Sequence, residues 1–180
     1  MNDNLLFLVL AFVTVATALN LWLTFRISAR LREATAPAMT VPIGEAVPPF
    51  EGVTGPDQRP VRSADLAGAA LVLVFLSPGC KTCAGHIGEL VGLLPGAEAA
   101  GVGLWIVPND SAHDIGRLVG GTRLAGRVLI LDAESRPRLN PLRLVPFYLF
   151  VDDKQIVRAS GHLGDPDWRA FVTQMDEARP

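Results

Sequence analysis

Leu71-Val72-Leu73-Val74-Phe75-Leu76 runs without a break into Ser77-Pro78-Gly79-Cys80-Lys81-Thr82-Cys83. The apolar run has the length of a strand, and the lack of polar alternation predicts burial on both faces. Beyond Gly79 the period changes. Ile87, Leu90, Val91 and Leu94 recur at helical spacing, which predicts a helix over 83–94. The cysteine pair therefore marks a strand-to-helix turn. At such a turn the first sulfur meets the free N–H groups and the positive end of the helix dipole, and both favour a thiolate. The second sulfur lies one turn further in, within reach to form a disulfide or to resolve a mixed one. Cys80 is the expected nucleophile, Cys83 the resolving thiol, and Lys81 adds positive charge beside Cys80.

The same alternation continues downstream. Strands are predicted at 102–107, 128–131, 147–151 and 155–159, the last two joined as a hairpin through Asp152-Asp153-Lys154. Helices are predicted over 111–119, with Ser111 as N-cap and Gly120-Gly121 as stop, and at the end of the chain. There Trp168, Phe171, Val172 and Met175 share one face. Strands alternating with helices imply an α/β domain with a mostly parallel sheet covered on both faces, plus an antiparallel hairpin. Prolines 42, 48, 49, 56 and 60 favour extended chain and turns before the first strand.

The chain of 180 residues carries 16 basic and 18 acidic side chains, a formal net charge of −2. That balance excludes a basic nucleic-acid binder. With 49% hydrophobic residues the chain is not an acidic disordered one. Two cysteines exclude a disulfide-rich scaffold and a four-cysteine zinc site. A mean hydropathy of +0.33 is high, and the surplus lies at the start. Leu5 to Phe25 carries no charge, with Asn20 its only strongly polar side chain. About 20 such residues match a hydrocarbon core of roughly 30 Å, and Trp22 falls where an aromatic belt lies. A cleaved signal peptide is the alternative, but it wants a basic start and a shorter apolar stretch than this. The expected organisation is a transmembrane anchor at 1–25, a tether at 26–40 and one α/β domain at 41–180.

Arg26, Arg30 and Arg32 follow the apolar run, and no Lys or Arg precedes it. The positive-inside tendency then places the C-terminal part in the cytoplasm. The cysteine pair also has other readings. It could staple a turn without turnover. It could bind copper through two thiolates and an imidazole, His86 having the right spacing and His113 and His162 lying elsewhere. His86 by itself reads as an exposed helix residue. A proline at 146, just before a strand, is by default an ordinary loop proline.

Several segments together resemble one family. These are Gly44-Glu45-Ala46-Val47-Pro48-Pro49-Phe50, Ser63-Ala64-Asp65-Leu66-Ala67-Gly68, Phe75-Leu76-Ser77-Pro78-Gly79-Cys80 and Val145-Pro146-Phe147-Tyr148-Leu149-Phe150-Val151-Asp152. From about Ile43 to the C-terminus the sequence resembles membrane-anchored thioredoxin-like thiol–disulfide oxidoreductases of the TlpA/ResA group, most closely the MauD-like proteins named for methylamine utilisation. The resemblance implies a thioredoxin fold, a mixed central sheet flanked by helices, behind one N-terminal transmembrane helix. It implies a redox-active Cys80–Cys83 disulfide with no other cofactor and no metal. Pro146 would be cis and lie against the cysteine pair. Val145, with Pro78 and Gly79, would bind a client cysteine segment as an added strand.

The implied clients are cysteine-containing exported proteins, such as a maturing periplasmic dehydrogenase subunit. The implied partners are the membrane and a membrane thiol–disulfide electron partner. The resemblance places the domain on the periplasmic side, against the charge rule, and we follow the resemblance. Copper metallochaperone and non-catalytic peptide-binding module are the rival functions. Two family features are missing. Gly79 replaces the usual Trp before the first cysteine, and Lys81-Thr82 lacks the usual proline, so the direction of exchange is open. For the buried acid that manages protons in many thioredoxins, Glu51 and Asp65 are the candidates.

Overall fold

The computed structural model describes residues 13–17, 19–24, 40–55, 57–109 and 112–179, the side chains of 112 and 113 excepted. The chain forms two compact units, Met1–Pro37 and Ala38–Pro180. In the first, residues 13–17 and 19–24 are helical. Val13, Val15, Leu19, Leu21, Trp22 and Leu23 are all exposed there. Among the described residues no helix is long and apolar enough to cross a membrane. The rest of the apolar run, with Arg26, Arg30 and Arg32, lies outside the described residues, as do Pro56 and the expected cap Ser111.

The second unit contains seven strands and four α-helices among the described residues. They are β1 (Glu51–Thr54), β2 (Pro60–Arg62), β3 (Ala70–Leu76), α1 (Lys81–Ala99), β4 (Val102–Pro108), α2 (Ala112–Val119), β5 (Leu129–Leu131), α3 (Ser135–Leu139), β6 (Phe147–Val151), β7 (Val157–His162) and α4 (Pro166–Glu177). One sheet has the order β4-β3-β6-β7, the other β2-β1-β5. A parallel bridge between Ile106 and Val128 links them.

β3 explains the central sheet. Its residues point alternately to two faces. Val72, Val74 and Leu76 join a core with α1 and α4, whereas Leu71, Leu73 and Phe75 join a second core with Phe147, Leu149 and Leu139. Both faces are covered, so Leu71 to Leu76 carries no polar position.

The mostly parallel sheet expected from the strand–helix alternation needs correction, whereas the mixed sheet implied by the resemblance is the one observed. In the four-stranded sheet only β3 and β4 are parallel, whereas β6 runs antiparallel to β3 and β7 antiparallel to β6. The reason lies in the connections. The 19-residue α1 carries the chain back along the sheet between β3 and β4. Between β5 and β6 stands only the five-residue α3, too short to return the chain to the other end. β6 therefore starts where β3, β4 and β5 finish. Phe75 sits opposite Phe147, so Ser77 and Val145, just beyond that pair, emerge at one end of the sheet.

Several element boundaries differ from the sequence reading, and one hairpin was not expected. α1 starts at Lys81 and continues through Pro95 to Ala99. Pro95 removes one helical bond, but Gly96 and Ala97 beyond it are buried. A Cβ at Gly96 would collide with the Met175 carbonyl, so its absence lets α4 cross α1 closely. β7 starts later than expected because Asp152 holds the preceding turn. Its Oδ1 accepts the N–H groups of Lys154 and Ile156, both at 2.9 Å, and Gln155 takes a left-handed φ of 63°. The β1–β2 hairpin forms inside the stretch read as extended chain and turns.

Candidate active site

The Ser77–Cys83 turn is set by short-range bonds. The Cys80 N–H donates to the Ser77 carbonyl at 3.1 Å and closes the turn. Cys80 is the N-cap of α1, and its Sγ accepts the N–H of Cys83 at 3.1 Å. Cys80 and Cys83 are joined as a disulfide, with Cα atoms 5.2 Å apart. The two sulfurs differ in access. Cys83 is fully buried in the α1 core, Cys80 is half-buried, and Lys81 is exposed. Cys80 is therefore the more accessible of the two sulfur-bearing residues.

Ser77, Pro78 and Gly79 line one side of a groove of about 450 Å³, and Asp114, Arg117 and Leu118 of α2 line the other. An added Cβ at Gly79 would meet nothing within 4 Å, so packing does not impose glycine there.

The Val145–Pro146 bond is cis, and Pro146 is buried. The Pro146 carbonyl accepts from His162 Nδ1 at 3.2 Å and from the Leu163 N–H at 3.4 Å. Since a carbonyl only accepts, Nδ1 carries the proton. Asn140, fully buried, grips the loop before it. Its Nδ2 donates to the Leu144 carbonyl and its Oδ1 accepts the Leu144 N–H, each at 2.9 Å. Asn109, at the end of β4, donates its backbone N–H to the Leu76 carbonyl at 2.9 Å. Its Nδ2 makes a longer bond of 3.4 Å to the Arg143 carbonyl. Among the described residues, neither backbone polar group of Val145 has a hydrogen-bond partner.

Strand pairing and these loops bring Cys80, Cys83, Pro78, Gly79, Val145 and Pro146 to one end of one sheet. The domain has the thioredoxin fold. No family model matches the sequence, and no curated protein does. Solved structures do. The thioredoxin domain of a thiol–disulfide oxidoreductase from Bacteroides vulgatus is 16% identical, with a TM-score of 0.64 over 74% of this chain and 98% of that one. A thiol:disulfide interchange protein of the thioredoxin family from Chlorobium tepidum is 20% identical, with a TM-score of 0.61 over 76% and 97%. One from Bacteroides sp. is 18% identical, with a TM-score of 0.62 over 77% and 93%. Identities this low establish the shared fold.

Within this thioredoxin fold neither candidate acid is buried. Glu51 is exposed and pairs with Arg62 at 3.6 Å, while exposed Asp65 accepts the Arg62 N–H at 3.0 Å. His86 is not the exposed helix residue expected. Its side chain is 20% exposed, and Nδ1 lies 2.9 Å from Glu89. The other Glu89 oxygen accepts Trp168 Nε1–H at 2.6 Å, which ties α1 to α4. Beside the Trp168 ring, burial first and then Asp165 push the Tyr148 phenol well up, so it stays a donor to Asp165. Among the described residues no three His, Cys, Asp or Glu side chains form a group that could hold a metal ion. The His113 side chain lies outside them.

Asn109, Asn140 and His162 were not legible as site residues. A lone Asn or His in a polar loop has the same sequence signature as a solvated turn residue. Only Asn140-Pro141, a turn-initiating dipeptide, offered a signal, and it speaks of the turn alone.

Proposed function

We propose that this chain is a membrane-tethered thiol–disulfide oxidoreductase whose Cys80–Cys83 pair exchanges with cysteines of exported proteins. The carrying observation is the asymmetric pair itself: a half-buried Cys80 whose sulfur caps a helix, bonded to a fully buried Cys83. In the reducing direction the Cys80 thiolate attacks one sulfur of a client disulfide. The client S–S bond breaks, its other sulfur leaves as a thiolate, and a mixed disulfide forms. The Cys83 thiolate then attacks Cys80 Sγ and releases the second client sulfur. Two electrons pass to the client, and the Cys80–Cys83 disulfide remains. The reverse sequence oxidises. No further cofactor is needed in either direction.

The N–H and C=O of Val145, without a partner among the described residues, support an extended client segment bound as an added strand. Pro78 and Gly79 in the groove wall support the same docking. The apolar run from Leu5 to Phe25 supports anchoring, and the family resemblance supports an extracytoplasmic domain that serves dehydrogenase maturation with a membrane electron partner. A reporter active only outside the cytoplasm, fused after Pro180, should be active. A cytoplasmic result would give the decision to Arg26, Arg30 and Arg32.

The function is tested by redox titration of the full chain, with the thiols trapped by alkylation. A potential near about −270 mV marks a reductant and one near about −120 mV an oxidant. No exchange with any small disulfide overturns the reading and leaves a peptide-binding module. Stoichiometric copper binding by the reduced chain, without exchange, leaves a metallochaperone.

A further inference from the structure

The loop before Pro146 is held by side chains, and the pattern of what they leave unheld is informative. Arg143 donates its N–H to the Asn140 carbonyl at 3.1 Å, and its own carbonyl takes the Asn109 bond. Asn140 satisfies both backbone groups of Leu144. His162 and Leu163 satisfy the Pro146 carbonyl. From Arg143 to Pro146, Val145 alone keeps both backbone groups without a partner among the described residues. The residue as a whole is half-buried.

Asn140 is the strongest of these holders. It is fully buried, and both of its bonds are 2.9 Å long. A buried amide with both ends satisfied fixes the peptide it grips, because either bond lost leaves an unpaired group in a dry site. The gripped residue is the one directly before Val145. Asn109 adds a second tether from β4, and its backbone N–H also holds Leu76, one residue before the Ser77–Cys83 turn. The two asparagines thus reach both the cysteine turn and the proline loop.

We infer that Asn140 is a positioning residue that clamps Leu144 and so presents the Val145 peptide, beside the cysteine turn, to an extended client chain. This rests on the exchange chemistry proposed above and makes Asn140 matter for exchange with a protein disulfide but not with a small one. A small disulfide needs only the Cys80 sulfur. A protein disulfide also needs the Val145 N–H and C=O in place.

The test uses the reduced full chain, wild type and Asn140→Ala, with insulin as the protein disulfide and an aromatic dithiobis compound as the small one. The expected result is a KM for insulin about tenfold higher in the variant, equivalent to about 1.4 kcal/mol, with kcat within about twofold. The rate with the aromatic disulfide should stay within about twofold of wild type. An unchanged KM, or equal losses on both disulfides, overturns the inference and leaves the exchange reading standing. A wild type that reacts with the aromatic disulfide but not with insulin also overturns the inference alone. A wild type that reacts with neither overturns both. If circular dichroism shows that Asn140→Ala does not fold, Asn109→Ala decides. Its KM should rise in the same direction, and an unchanged value overturns the inference.

Discussion

The Sγ of Cys80 accepts the backbone N–H of Cys83 at 3.1 Å, so the first cysteine caps the helix that carries the second. A cap acceptor at a helix N-terminus gains from negative charge, because the N–H and the dipole both favour it. Lys81, the first helical residue, adds a positive charge. In the reduced chain the Cys80 thiol should titrate below the free value of about 8.5. Alkylation rate against pH measures this. Cys80 should also react before Cys83, which is fully buried. A first reaction at Cys83, or a Cys80 midpoint at or above the free value, would reverse the assignment of roles.

How much of this was legible in the sequence depends on range. Leu71 to Cys83 revealed a strand, a turn and a helix because their determinants are local: unbroken hydrophobicity, Pro-Gly, then helical spacing. The sense of β6 was not legible, because it depends on how far α3 can carry the chain. The end of α1 was not legible either, since Pro95 is locally a helix breaker and the burial of Gly96 and Ala97 against other elements offsets it. The site divides the same way. The cysteines announce themselves by spacing. Asn109, Asn140 and His162 act through backbone groups 16 or more residues away, or in Asn140 through a loop with no distinctive side chain.

Two glycines should behave in opposite ways. At Gly96 a Cβ would collide with the backbone of Met175, which cannot move without shifting α4. Gly96→Ala should cost roughly 1–3 kcal/mol, the usual range for forcing extra volume into a packed contact. At Gly79 a Cβ meets nothing within 4 Å. Gly79→Ala should stay within about 0.5 kcal/mol of wild type. Urea unfolding of both variants gives the comparison. Equal losses would mean that the α1–α4 crossing is not as close as described.

Trp168 combines a packing role with a polar one. Its ring is buried against Tyr148, with centroids 5.1 Å apart, and its Nε1–H reaches Glu89 at 2.6 Å. Trp168→Phe keeps most of the ring and deletes the donor, so it should cost about 1–2 kcal/mol. Trp168→Ala deletes both and should cost about 3–5 kcal/mol. A near-equal effect of the two variants in denaturant unfolding would assign the whole contribution to the hydrogen bond.

Asp152 gives the fold a pH dependence whose sign can be worked out. Its carboxylate accepts backbone N–H groups of Ile156 and Lys154 and pairs with Arg158 at 2.7 Å. These interactions, the Ile156 bond foremost, hold its pKa below the ordinary 3.8. A carboxylate with a lowered native pKa stabilises the fold fully above its unfolded value. That contribution fades as pH falls through the lower native value, since the unfolded chain then binds the proton first. The turn it holds leads into β7, whose His162 supports Pro146, so its loss reaches the site. Asp152→Asn removes the charge and keeps the shape. The stability gap between wild type and Asp152→Asn should be largest at pH 6–7 and shrink below the ordinary carboxylate value of 3.8. Asp132 is also held low, by Ser135, but it titrates in both chains and cancels from the difference. Urea unfolding across this range reads the gap directly. A gap that stays constant to the acid limit would show that the carboxylate charge contributes nothing to the turn.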